Sequence, residues 1–144
     1  MIDLRFVVVL NKRHGPGELM SALGHVTVGL VGASCDRGDL RLVDYEDADG
    51  RLYPSISEWP FIVLGGSDNK IGQLRVRLEA AGLPAVVYLD SMMTGGSDLQ
   101  RRRTATTSSA ELEILALGTF GEREQLVALT KRFSLWRGSS AQVT

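Results

Sequence analysis

One cysteine, Cys35, is all the thiol chemistry the sequence offers. A single thiol allows neither an intrachain disulfide nor a metal centre built on cysteines. It suits a reducing compartment and reads as a small apolar filler rather than a nucleophile. Long apolar runs are missing too. The stretch Phe6–Leu10 is too short for a signal-peptide core with a cleavage site behind it, and nothing approaches the length of a membrane span. The expectation is a cytoplasmic protein with no membrane partner. A strong charge of either sign is also absent, since the net formal charge is −1. Residues 1–60 carry six Lys/Arg against nine Asp/Glu, and residues 61–144 carry ten against eight. General nucleic-acid binders show a strongly basic domain, so any RNA contact has to rest on a local patch. No HExxH, CxxC, GxSxG or GxGxxG occurs, which removes the usual support for metal, redox, serine-hydrolase and dinucleotide chemistry. No cofactor and no metal are expected.

What remains is ordinary globular material: 144 residues, 44% apolar and 23% charged. A chain of this length buries roughly two-thirds of its unfolded surface and folds without staples. Arg5–Leu10 is continuous, β-branched and apolar, the pattern of a strand covered on both faces. Turn residues follow at 11–17. From Glu18 to about Ala33 the residues Leu19, Leu23, Val26, Leu30 and Val31 recur at helical spacing. Gly24, Gly29 and Gly32 each weaken that helix by up to about 1 kcal/mol relative to Ala, which implies close packing against the sheet or a partner helix.

Residues 35–59 are acidic and turn-rich, with Asp44–Gly50 reading as a surface loop. Pro60–Gly65 is a second strand. Ser67 and Asp68 are candidate N-caps of a helix running to Ala81 and stopped by Gly82 and Pro84. Ala85–Leu89 is a third strand and Ser91–Ser109 a long mobile loop. Leu112–Leu117 is a fourth strand, and Glu122–Phe133 a closing amphipathic helix. The expected architecture is one α/β domain over 1–137, a three-layer α/β/α sandwich on a four-stranded, mixed but mostly parallel sheet, with 138–144 frayed.

Three strands end in polar residues, and ligands of open α/β sheets collect at such ends. Lys12 and Asp90 would then face one crevice. His25 has small neighbours, Ser21 and Gly29, at helical spacing, leaving room for a substrate; a core histidine bonded to a carbonyl is the alternative. Asp90 directly follows a buried strand, where a carboxylate needs a donor or a cleft, and Thr94 could share its pocket; a turn-forming Asp is the alternative. Gly15-Pro16-Gly17 could cradle an anion on free backbone N–H groups. Arg101, Arg102 and Arg103 are either a phosphate-seeking patch or three solvated side chains.

The order of strand, Gly-containing loop, His-bearing helix, GLPAVVYLD, Thr94 and EILALGTFGEREQLVALTKRF resembles the type-two peptidyl-tRNA hydrolases over nearly the whole chain. The resemblance puts His25, Asp90 and Thr94 at that family's helix histidine, aspartate and threonine. It implies an activated water at Asp90, with His25 and Thr94 holding substrate. The family's two Gly-Lys-Gly-Lys lysines fall on Pro16 and Glu18, its Arg on Met93, and the loop after Thr94 is about ten residues longer. Lys12 or the three arginines, with Asn11 beside them, would have to take over phosphate binding. A Lys-to-Glu reversal about 6 Å from a phosphate costs on the order of 5 kcal/mol before screening, which weighs against tRNA. A closer resemblance is to an uncharacterised family of the same fold. It is carried by Asn11-Lys12, His25–Leu30, DADGRLYPSIS, WPFIVL and Met92-Met93. That family implies a pocket and no reaction. The leading expectation is a module that binds a small molecule or protein in a cleft lined by Lys12, His25 and Asp90, with a homodimer packed through helices as its expected assembly. The alternative is a hydrolase of an ester or acyl bond, with peptidyl-tRNA or another acyl-ester ligand as substrate.

Overall fold

The computed structural model describes residues 2–34 and 38–138. Cys35 and the expected frayed end beyond Gly138 lie outside the described residues. The elements in chain order are β1 (Leu4–Asn11), α1 (Pro16–Ser34), β2 (Leu42–Glu46), β3 (Leu52–Ser57), β4 (Phe61–Gly66), α2 (Asp68–Ala80), β5 (Val86–Leu89), α3 (Ser97–Ala105), β6 (Ile114–Glu122), α4 (Arg123–Leu129) and β7 (Ser134–Leu135). A single 3₁₀ turn at Asp90–Met92 follows β5.

The main sheet has the order β5-β6-β1-β4-β7. Only β1 and β4 pair in parallel; β6 runs antiparallel to both β1 and β5, and β7 antiparallel to β4. The sheet is therefore mixed and five-stranded rather than four-stranded and mostly parallel. The reason is that β6, last of the long strands, inserts between β1 and β5 and reverses direction there, while Ser134–Leu135 adds a short antiparallel edge strand beside β4.

β1 sits inside the sheet with helices over both faces, which explains its unbroken apolar run. Phe6, Val8 and Leu10 pack with Leu19, Ala22, Val26 and Leu30 of α1. Val7 and Val9 pack with Ile71, Leu74 and Leu78 of α2 and Leu126 of α4. Each fully buried Leu or Ile contributes roughly 1.5–3 kcal/mol of transfer free energy. α1 lies tight on the sheet through two glycines. A Cβ on Gly29 would stand 2.9 Å from Val86 Cγ1, and one on Gly118 of β6 would run into Val26. Ser67 caps α2 by accepting from Lys70 N, and Gly82 ends the following turn at φ +72°.

Two segments differ from expectation. The stretch read as a loop at 35–59 contains an antiparallel hairpin, β2 against β3, as a separate two-stranded sheet. Its turn is built by Asp47. Oδ1 accepts from Asp49 N at 2.9 Å and Arg51 N at 3.0 Å, and Oδ2 accepts from the Tyr53 hydroxyl at 2.8 Å. The stretch read as a long loop at 91–109 holds α3, so Arg101, Arg102 and Arg103 stand on a helix. α3 is polar nearly all round, and no apolar period marks it. The closing helix is shorter than expected because it stops at Leu129, where the chain turns to place Ser134–Leu135 against β4 as β7.

Candidate functional site

The carboxyl ends of β1, β4 and β5 point to one edge of the sheet, and polar side chains gather there in two groups. The first lies at the end of β1. Asn11 is buried, and its Nδ2 donates to Ile114 O at 3.0 Å and to Glu113 Oε1 at 3.2 Å. Its Oδ1 accepts from Arg13 N at 3.0 Å. The same Glu113 carboxylate meets His14 Nε2 at 2.7 Å, and the other ring nitrogen of His14 meets Glu18 Oε2 at 3.3 Å. Arg13 stands 3.5 Å from Glu113. Asp90 joins through the backbone: its N–H donates to Glu113 O at 3.0 Å, and its Oδ1 accepts from Glu113 N at 3.2 Å. Glu113 is thus the hub that brings Asn11 and Asp90 together. The residues also clamp the loop before α1 onto the start of β6.

The second group forms a cleft of about 430 Å³ between α1 and β5, lined by Ser21, His25, Val26, Val87, Tyr88, Met92, Met93 and Gln100. Ser21 and His25 share a face of α1 because they are one turn apart. The close approach of α1 at Gly29 brings the helix down on β5, and the exposed imidazole of His25 stacks on Tyr88 with centroids 5.3 Å apart and planes at 26°. Tyr88 is itself held, its hydroxyl donating to Met92 O at 2.8 Å. The far wall is fixed by α3. Ser91 and Thr104 hydroxyls bond at 2.6 Å, and Gln100 Nε2 donates to Gly95 O at 2.9 Å.

The other expected site residues have separate surroundings. Lys12 is exposed, and its chain runs along Gly65 beside Trp136, close to the positions a Cβ there would need. Neither Lys12 nor Asp90 lines the His25 cleft. Thr94 is exposed, and its hydroxyl accepts from Arg103 Nη1 at 3.3 Å. That same Nη1 reaches Ser91 O and Thr94 O, both at 3.2 Å. Arg101 pairs with Asp98 at 2.6 Å. Of the three arginines, Arg103 is engaged by the turn, Arg101 by an acid, and Arg102 stands exposed.

Sequence reasoning missed His14, Glu113 and Tyr88. His14 had a visible signal as a histidine in the polar loop after a buried strand. Glu113 had none, because its partner lies 99 residues away. Among the described residues, no group of three or more His, Cys, Asp or Glu side chains is arranged to hold a metal ion. Among the same residues, no helix is long and apolar enough to cross a membrane.

Residues 4–137 match the family model described as "Protein of unknown function (DUF2000)". No curated protein matches the chain. Among solved structures, the chain is similar to a protein of unknown function from Agrobacterium tumefaciens strain C58, Atu0240. The TM-score is 0.79 at 18% identity, with 95% of this chain and 100% of the other covered. At that identity the likeness is one of fold.

Proposed function

The chain belongs to the DUF2000 family of unknown function, and from the geometry of its own cleft we propose that it binds a small molecule there through a flat, mostly apolar ring. The observation that carries this reading is the exposed imidazole of His25 held nearly parallel to Tyr88 at the cleft wall. An aromatic surface laid flat and partly open to solvent offers a stacking platform. Met92 and Met93 supply an adaptable apolar contact, while Ser21 and Gln100 supply a few polar groups to set orientation. A volume of about 430 Å³ falls in the range of small-molecule pockets. In this reading His25 contacts the ligand, and Asp90 and Thr94 position the turn that carries the two methionines. The lone cysteine supports a reducing, cytoplasmic setting. A homodimer through α1 belongs to the same proposal. Its support is an outer face with Val28 74% exposed, Met20 and Val31 exposed, and no charged residue after Glu18.

The hydrolase alternative draws its support from the peptidyl-tRNA hydrolase resemblance at His25, Asp90 and Thr94. It asks Asp90 to activate water while one of its oxygens accepts from Glu113 N, and it asks α3 to hold tRNA phosphates when Arg101 and Arg103 already have partners. The binding reading therefore stands first.

Methyl-labelled methionine gives the test, because Met92 and Met93 line the cleft and Met20 does not. Adding indole or adenosine should shift the Met92 and Met93 methyl signals saturably and leave Met20 unmoved, and His25→Ala should abolish the shift. Absence of a saturable shift with either heterocycle would overturn the reading. So would turnover of peptidyl-tRNA that is lost in Asp90→Ala or His25→Ala.

A further inference from the structure

The opposite face of the sheet, away from the His25 cleft, carries two buried polar atoms without partners. They are Arg5 Nε and Thr119 Oγ1. Buried polar groups in folded proteins are nearly always satisfied, so each such atom calls for an explanation. Their positions are related. The β1–β6 register sets Arg5 opposite Gly121 and Val7 opposite Thr119. Directly opposed residues of an antiparallel pair project to the same face. Val7 packs with α2 and α4, so both orphan atoms lie on that face, two residues apart along the ladder. Arg5 and Val7 also line a trough of about 250 Å³, completed by Ile62, Leu64, Leu126, Val127, Thr130, Lys131 and Phe133.

The trough has an apolar floor and cations at its rim. Val7, Ile62, Leu64, Leu126, Val127 and Phe133 form the floor. Neither Arg5 nor Lys131 takes part in an ion pair among the described residues, and the pair Asp3–Arg123 on the neighbouring elements leaves Arg5 out. Thr130 already donates its hydroxyl to Leu126 O at 2.7 Å, so it adds little polarity. A guanidinium Nε–H buried against an apolar floor with no acceptor carries a desolvation cost that an arriving anion would offset.

We infer that this trough binds a medium-chain carboxylate, its head on Arg5 and Lys131 and its chain along the Val7–Phe133 floor. Charge selects the head, since Arg presents a planar fork matched to a carboxylate. Volume selects the tail. At about 30 Å³ per water-sized unit, the trough takes on the order of eight non-hydrogen atoms, which is the two oxygens and six carbons of a six-carbon acid, or the head and first carbons of a slightly longer one. The site is independent of the His25 cleft and lies on the other side of the sheet.

Sodium octanoate is the probe, titrated into the full chain by calorimetry and by amide NMR. Binding should saturate, with shifts centred on Arg5, Val127 and Phe133 and none at Tyr88 or Gln100. Arg5→Gln should weaken binding by about tenfold, the loss expected for one charge-assisted hydrogen bond. Val127→Trp keeps both charges and fills the trough, so it should abolish binding even if Arg5→Gln fails to fold. Octanol, with the same chain and no charge, should bind at least about tenfold more weakly. Equal affinity for octanol would overturn the inference. So would undiminished binding to Val127→Trp, or shifts confined to the His25 cleft.

Discussion

Replacing Asn11 by alanine should cost about 3 kcal/mol of folding stability, more than any exposed substitution on the same loop. The figure follows from the partners the amide holds. Its Nδ2 satisfies Ile114 O and adds a bond to the Glu113 carboxylate, and its Oδ1 satisfies Arg13 N. A neutral hydrogen bond contributes about 1 kcal/mol net and one to a charged group about 1.5–3 kcal/mol. The Glu113 bond takes the low end because that side chain keeps 17% of its exposure and its other partners, His14 at 2.7 Å and Arg13 at 3.5 Å, remain. Asn11 itself is 1% exposed, so no water replaces the amide without rearrangement. For a chain of this size the loss lowers the melting temperature by about 10 °C. Urea unfolding followed by circular dichroism measures it directly, and an unchanged denaturant slope would certify that only stability moved. A second variant sharpens the test. Glu113→Ala in the Asn11→Ala background should cost less than Glu113→Ala alone, with a coupling of about 0.5–3 kcal/mol, since the two side chains touch. A loss below about 1 kcal/mol for Asn11→Ala, or strict additivity with Glu113→Ala, would refute the view that this network clamps β1 to β6.

The glycines of α1 divide into two kinds, and alanine separates them. A Cβ on Gly24 or Gly32 meets nothing within 4 Å, so Gly24→Ala and Gly32→Ala should each stabilise the chain by up to about 1 kcal/mol in thermal melts. Gly29→Ala should gain nothing or lose stability, because its Cβ would lie 2.9 Å from Val86 Cγ1. Destabilisation by Gly24→Ala that depends on protein concentration would instead place a partner helix on that face. The hairpin β2–β3 should respond to acid. Hydrogen bonds from Arg51 N, then from the Tyr53 hydroxyl, hold Asp47 below its ordinary value of 3.8. A depressed carboxyl stabilises the fold above that value and loses its contribution as pH falls through the folded one. Amide exchange at Asp49 and Arg51 should therefore speed up, after correction for intrinsic rates, as pH drops below about 4. Asp47→Asn should remove that pH dependence, and its persistence in the variant would show another group at work.

Strands and helices with two-sided or one-sided burial were legible in the sequence, and pairings were not. The run Phe6–Leu10 identifies a covered strand because every side chain in it is apolar, whichever neighbour covers it. The same run says nothing about β6 lying between β1 and β5, since an antiparallel insertion and a parallel one bury the same residues. The hairpin arm did carry a signal in Asp49-Gly50 between Tyr45 and Tyr53, a known turn dipeptide flanked by strand formers. The density of acids around it made it read as loop. α3 left no apolar period because it is held by bonds such as Arg103 to Ser91 O and Thr104 to Ser91, which depend on the chain folding back. At the site, His25 was legible from its small neighbours Ser21 and Gly29. Tyr88, which holds its ring, was one apolar strand residue among several, and the link from His14 to Glu113 spans 99 residues.

The placement of Asp90, Thr94 and Arg103 gives these residues one physical role that does not depend on any ligand. Asp90 bonds the start of β6 with its backbone and its side chain, so the 3₁₀ turn leaves β5 in a fixed direction. Arg103 reaches back from α3 to the carbonyls of Ser91 and Thr94 and to the Thr94 hydroxyl, which ties both ends of the Met92-Met93 segment. Two methionines are soft side chains with many rotamers, and a wall made of them is useful only if its backbone is held. The part-buried hydroxyl pair Ser91–Thr104 and the Tyr88 hydroxyl on Met92 O complete that hold. Polar residues that look catalytic when read along the chain are, in space, the frame of an adaptable wall facing a rigid one of His25 on Tyr88. In the proposed binding reading such a frame would select for shape and stacking, whereas ester hydrolysis led by Asp90 needs a free carboxylate aimed at a water beside donors for an oxyanion. With one Asp90 oxygen on a backbone N–H and the Thr94 hydroxyl on a guanidinium, the polar groups at this end of the sheet are arranged to hold the protein's own backbone first.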